Sequence, residues 1–71
     1  MENVKNMKPY FGVLNEMKRQ GITQEEMAKA IGVDRVIFNL KVNRKQNHDF
    51  TYSQAKEIAE KLKSKPSFLF K

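Results

Sequence analysis

The chain has 71 residues, no cysteine, and fourteen Lys and Arg against eight Asp and Glu, a formal charge of +6. Without cysteine the core gains nothing from disulfides or a zinc cluster, and no apolar run approaches the roughly 20 residues of a membrane span. A chain this short buries only about 60% of the surface its unfolded form exposes, so a single domain over 1–71 of modest stability is expected, with a polyanion as the natural partner of its charge.

Residues 1–8 are polar and lack the apolar segment of a signal peptide, so a frayed start and a cytoplasmic location are expected. Pro9 suits the first turn of a helix, and Tyr10, Val13, Leu14 and Met17 repeat on one face, which predicts a helix to about Arg19 that Gly21 ends. Thr23-Gln24-Glu25-Glu26 has the form of a capping box, in which the threonine hydroxyl accepts from the backbone three residues on and the glutamate reaches back. The second helix that follows places Met27, Ala28 and Ile31 at helical spacing, with Ala28 small enough for a close helix neighbour. Gly32 then supplies the left-handed residue that stops it, and Asp34 caps a third helix over about 35–43. Two helices joined by so tight a turn cross steeply, as in a helix-turn-helix whose second helix is held out where it can enter a major groove.

A polar loop over 44–49 leads to Thr51-Tyr52-Ser53-Gln54, a second capping box, and Ala55, Ile58, Ala59 and Leu62 form the buried stripe of a fourth helix. Pro66 forces a new start, after which 67–70 allow one last helical turn. Phe68, Leu69 and Phe70 can either cover the core or meet a second subunit. Nothing in the sequence suggests repeats, linkers or a strand.

The segments GITQEEMAKAIGV, FNLKVNRK and DFTYSQAKEIAEKL, in that order and at that spacing, resemble the lambda Cro/cI-type (Xre-like) helix-turn-helix family, in particular its small phage-encoded members. The resemblance covers most of the chain. It implies an all-α fold, a compact four- to five-helix lambda-repressor-like DNA-binding domain, working in the cytoplasm of a bacterial host cell. It also implies that Gln24 touches the DNA backbone and that Arg35, Val36, Asn39 and Leu40 face the groove. The chain departs from the family in carrying aliphatic residues at Val36, Ile37 and Leu40, where many members are polar.

Helix three holds a conflict. At 100° per residue Phe38 and Val42 lie on one side, whereas Val36, Ile37 and Leu40 lie on the other. Local periodicity would bury Val33, Val36, Ile37 and Leu40; the family pattern buries Val33, Phe38 and Val42, and is the expectation adopted. The aliphatic face then stays exposed, and such a face usually meets a partner.

Two functions compete. In one, the chain is a sequence-specific regulator of the Cro/cI type that binds an operator in double-stranded DNA, as a possible homodimer. Asn39 would bond an adenine edge, Arg35 a guanine or a phosphate, and Val36 and Leu40 would pack on thymine methyls. Gln24, Lys41, Asn43, Arg44 and Lys45 would hold phosphates, in keeping with an acid-free run over 35–48. In the other, the chain is an antirepressor whose Val36, Ile37 and Leu40 bind the cognate phage repressor protein. An enzyme is not expected: His48, Asp49 and Ser53 read as a solvated loop and cap, and neither a metal site, a cofactor nor a small-molecule substrate is indicated. Met7, Met17 and Met27 read as packing residues, and the lysines over 61–71 as a solvated face.

Overall fold

The computed structural model describes residues 8–70, and every regular element among them is helical: α1 (Phe11–Gln20), α2 (Gln24–Ile31), α3 (Arg35–Val42), α4 (Tyr52–Leu62) and α5 (Pro66–Leu69). The expected frayed segment 1–8 falls outside the described residues except for Lys8, as do Met7 and Lys71. No helix among the described residues is long and apolar enough to cross a membrane.

Both threonine caps form as reciprocal pairs. At α2 the Glu26 N–H donates to Thr23 Oγ1 at 3.1 Å while the Thr23 N–H donates to Glu26 Oε1 at 2.8 Å; at α4 Gln54 and Thr51 exchange the same bonds at 3.1 and 3.0 Å. Asp34 caps α3 by accepting from the Ile37 N–H at 2.8 Å. Helix α1 differs from expectation, because Pro9 lies ahead of the helix and Tyr10 is its N-cap, with no side-chain bond of its own. Tyr10 is fixed from outside instead: its N–H donates to the Val42 carbonyl at 2.9 Å, so the end of α3 sets where α1 begins.

Four helices end in one hydrogen-bond pattern. A left-handed residue donates to the carbonyl three residues back, and its successor donates to the carbonyl five back, as in Gly32 to Lys29 at 3.2 Å and Val33 to Ala28 at 3.0 Å. Gly21 and Gly32 hold that position at the ends of α1 and α2, with φ of 72° and 79°. Arg44 and Lys63 hold it at the ends of α3 and α4, with φ of 56° and 55°, where a Cβ costs about 1–2 kcal/mol. Lys63 is exposed, so Lys63→Gly is expected to raise stability by roughly 0.5–1 kcal/mol, read as a higher Tm; a lower Tm would contradict the left-handed ending of α4.

The core is one cluster. Val13 and Met17 of α1, Met27, Ala28 and Ile31 of α2, Phe38 and Val42 of α3, Ile58, Ala59 and Leu62 of α4, and Leu69 of α5 are all buried. Helix α2 packs on α3 and α4, and α1 packs on α5 and α4. Gln20 at the end of α1 donates to the Leu62 carbonyl at 2.8 Å, satisfying one of the carbonyls that the end of α4 leaves open. Above this cluster Phe50 stacks against Tyr10, Phe38 and Phe70 with ring centroids 5.5–6.0 Å apart.

The face of α3 is settled by Phe38 and Val42, both 0% exposed, against 59% for Val36. The stripe Val33, Val36, Ile37 and Leu40 is therefore not the buried one. Ile37 and Leu40 stand half-buried at its margin, and so do Val33 and Ala55, which the sequence reading placed in the core. A phenylalanine removes more apolar surface from water than any of the aliphatic alternatives, and that decides the rotation of the helix. At the far end Leu69 is buried, Phe70 half-buried and Phe68 exposed, so the last turn does cover the core.

Candidate nucleic-acid interface

Helices α2 and α3 meet at Gly32 and are cross-braced ahead of the turn. The Asn39 Nδ2 group donates to Gln24 Oε1 at 3.2 Å, so the first residue of α2 is bound to the outer side of α3. Both side chains are half-buried. Arg35 and Val36 occupy the first turn of α3 and are exposed, and Lys45, just past its end, is exposed as well. Leu40 and Ile37 complete the outer surface between them. Thus Gln24, Arg35, Val36, Ile37, Asn39, Leu40 and Lys45 share the solvent-facing side of the α2–α3 pair or its edge.

Three other sequence-predicted residues have bonds that point back into the fold. The Lys41 ammonium donates to the Asp49 carbonyl at 2.8 Å. Asn43 Nδ2 donates to the Asn39 carbonyl at 2.9 Å, extending the last turn of α3. The Arg44 guanidinium lies over the Tyr10 ring, its central carbon 4.8 Å from the centroid, with Nε 3.5 Å from Asp49 Oδ2. The basic run over 35–48 is therefore divided: Arg35 and Lys45 face solvent, while Lys41 and Arg44 face Asp49.

Asp49, read from the sequence as part of a solvated loop, is instead half-buried and hydrogen-bonded. Its Oδ1 accepts from the Tyr10 hydroxyl at 2.6 Å and from the Phe50 N–H at 2.7 Å, tying the loop after α3 to the start of α1 across 39 positions of sequence. No local pattern signals a contact that distant; the one available hint was an acid standing directly after an acid-free run. Burial, the bond to Asp49 and the nearby carboxylate charge together push the Tyr10 hydroxyl up to about 12, with the Arg44 charge pulling the other way.

That shift has a definite sign. A tyrosine whose pKa is raised on folding adds stability that is fully present below the unfolded value of about 10 and is lost as pH rises through the folded value of about 12. Wild-type Tm is expected to fall more steeply than that of Tyr10→Phe across this window, measured by circular dichroism; equal slopes would contradict the raised Tyr10 pKa.

One acid at the start of α2, Glu26, is also held. The Thr23 backbone N–H and then its hydroxyl hold the Glu26 carboxyl below the usual carboxylate range, and its charge is turned onto the α2 N-terminus. The chain matches no protein-family model, no curated protein and no solved structure.

Proposed function

We propose that the chain is a sequence-specific DNA-binding regulator of the helix-turn-helix kind, with α3 entering the major groove and Gln24 resting against the phosphate backbone. The observation that carries this reading is the pairing of α2 and α3 about a left-handed Gly32, braced by the Gln24–Asn39 bond, with Arg35 and Val36 outward and Lys45 beyond them. A rigid helix pair that offers one helix to solvent between two exposed cations suits a grooved polyanion. The net charge of +6 acts in the same direction at long range.

Within this reading the residues take different parts. Arg35 and Lys45 meet phosphates or base edges directly, while Lys41 and Arg44 hold the loop after α3 against α1 and shape the surface rather than contact it. The protein acts in the cytoplasm of a bacterial cell on a phage operator, and a dimer would place two α3 helices about one turn of DNA, roughly 34–36 Å, apart. The exposed aliphatic surface of Val36, with Ile37 and Leu40 beside it, supports a second reading: an antirepressor that binds a phage repressor protein through the same helix.

The test is the salt dependence of duplex binding, followed by fluorescence anisotropy. Replacing Arg35 and Lys45 together with Ala should flatten the slope of log K against log salt by about 1.8, roughly 0.9 for each lost phosphate contact. An unchanged slope would remove these two residues from the contact surface.

A further inference from the structure

Helix α4 carries a row of side chains that the fold does not use. The capping box at its start needs only Thr51 and Gln54, yet Tyr52, between them, leaves 83% of its surface in water. Lys56 and Glu60 follow it at four-residue intervals on the same face, and Lys63 ends the row roughly 16 Å from Tyr52 at 1.5 Å per residue. Together with Ala59 and with Pro66, the first residue of α5, they line an open groove of about 500 Å³. Ala59 is 4% exposed and forms its floor, while Tyr52, Pro66 and the methylene stems of the lysines are the apolar surface around it.

The charges along the groove are sorted by end. Glu57 and Glu60 line an adjoining hollow with Tyr52, whereas Lys63 and Lys65 stand at the turn into α5, where neither forms an ion pair among the described residues. A phosphate backbone, negative along its whole length, would meet two carboxylates at the Tyr52 end, and a second copy of this chain would bring a charge of +6 against the lysines. A peptide with its acids at one end meets neither obstacle. We propose that the α4–α5 groove docks a short amphipathic segment of another protein, its apolar residues on Tyr52, Ala59 and Pro66 and its acidic end over Lys63 and Lys65. The groove is as long as about three helical turns or roughly five extended residues, and Tyr52 is the aromatic anchor of the site. None of its lining residues belongs to α2 or α3, so this partner and a ligand on the outward face of α3 can be held at once.

The probe is a displayed library of random peptides of about twelve residues, enough for three helical turns, enriched on the full chain. The most enriched peptide is then synthesised with a fluorescent label and titrated by anisotropy. The recovered peptides should share apolar residues and carry Asp or Glu towards one end, and their affinity should fall as salt rises. Tyr52→Ala should weaken binding about tenfold, and Lys63→Glu combined with Lys65→Glu by more. All three positions are exposed, so these variants keep the fold, and Val36→Ser on α3 should bind the peptide as the wild type does. Failure to enrich any peptide, or equal affinity of the wild type and Tyr52→Ala, would overturn the proposal. So would loss of peptide binding in Val36→Ser alone, which would move the protein partner to α3, or duplex binding that weakens in Tyr52→Ala, which would give the groove to nucleic acid.

Discussion

Replacing Phe38 with Ala should cost about 3–5 kcal/mol of stability. Phe38 is the largest of the fully buried side chains, and its ring lies 5.5 Å from Phe50 in the aromatic layer that joins α3 to the start of α1. Truncation removes the transfer free energy of the ring and opens a cavity that rigid helices on several sides cannot close. In a domain of this size each kcal/mol moves Tm by roughly 4–8 °C, so a fall of at least about 12 °C is expected by thermal denaturation. Val36→Ser on the opposite face of α3 should change Tm little, because Val36 is 59% exposed. If the two variants exchanged places, α3 would be rotated from the position described and its aliphatic face would be core.

Gly12→Ala should also destabilise, against the usual rule. Alanine in a helix interior normally gains up to about 1 kcal/mol over glycine. Here a Cβ on Gly12 would stand 2.6 Å from the Leu69 carbonyl oxygen and 3.1 Å from the Leu69 Cα, and these are backbone atoms that no rotamer change can move. Helix α5 has to back away. Leu69, 1% exposed, then loses part of its burial, which is worth roughly 1.5–3 kcal/mol for a leucine, so a net loss of about 1–2 kcal/mol is expected. Chemical denaturation measures it. A gain in stability would mean that α5 does not lie against α1 at Gly12.

The parts of this fold that rest on neighbouring residues were legible in the sequence. Thr23 and Thr51 each carry their capping partner three residues on, Gly21 and Gly32 mark helix ends, and Asp34 starts α3, so the helix order and nearly all boundaries could be read directly. What periodicity could not supply was the rotation of α3, since both of its faces are apolar and only the packing of Phe38 and Val42 distinguishes them. Contacts between distant residues were not legible at all. Gly12 looks like an ordinary helical glycine until Leu69 is placed against it. Tyr10 reaches Asp49 across 39 positions through its hydroxyl and the Val42 carbonyl through its N–H, contacts that hold the loop after α3 and set where α1 starts. For the interface, residue type suggested which positions carry charge, but Arg44 and Lys41 could be separated from Arg35 and Lys45 only once their partners were visible.

The most direct measurement is an amide NMR titration of the labelled chain with duplex DNA at two salt concentrations. A DNA reader should show shifts at Gln24, Arg35, Val36, Asn39, Leu40 and Lys45 that weaken steeply as salt rises, with the α1–α5 side unmoved. If those amides stay still at DNA concentrations near the roughly 0.1 mM at which non-specific binding begins, or if the shifts ignore salt, the outward face of α3 does not meet DNA.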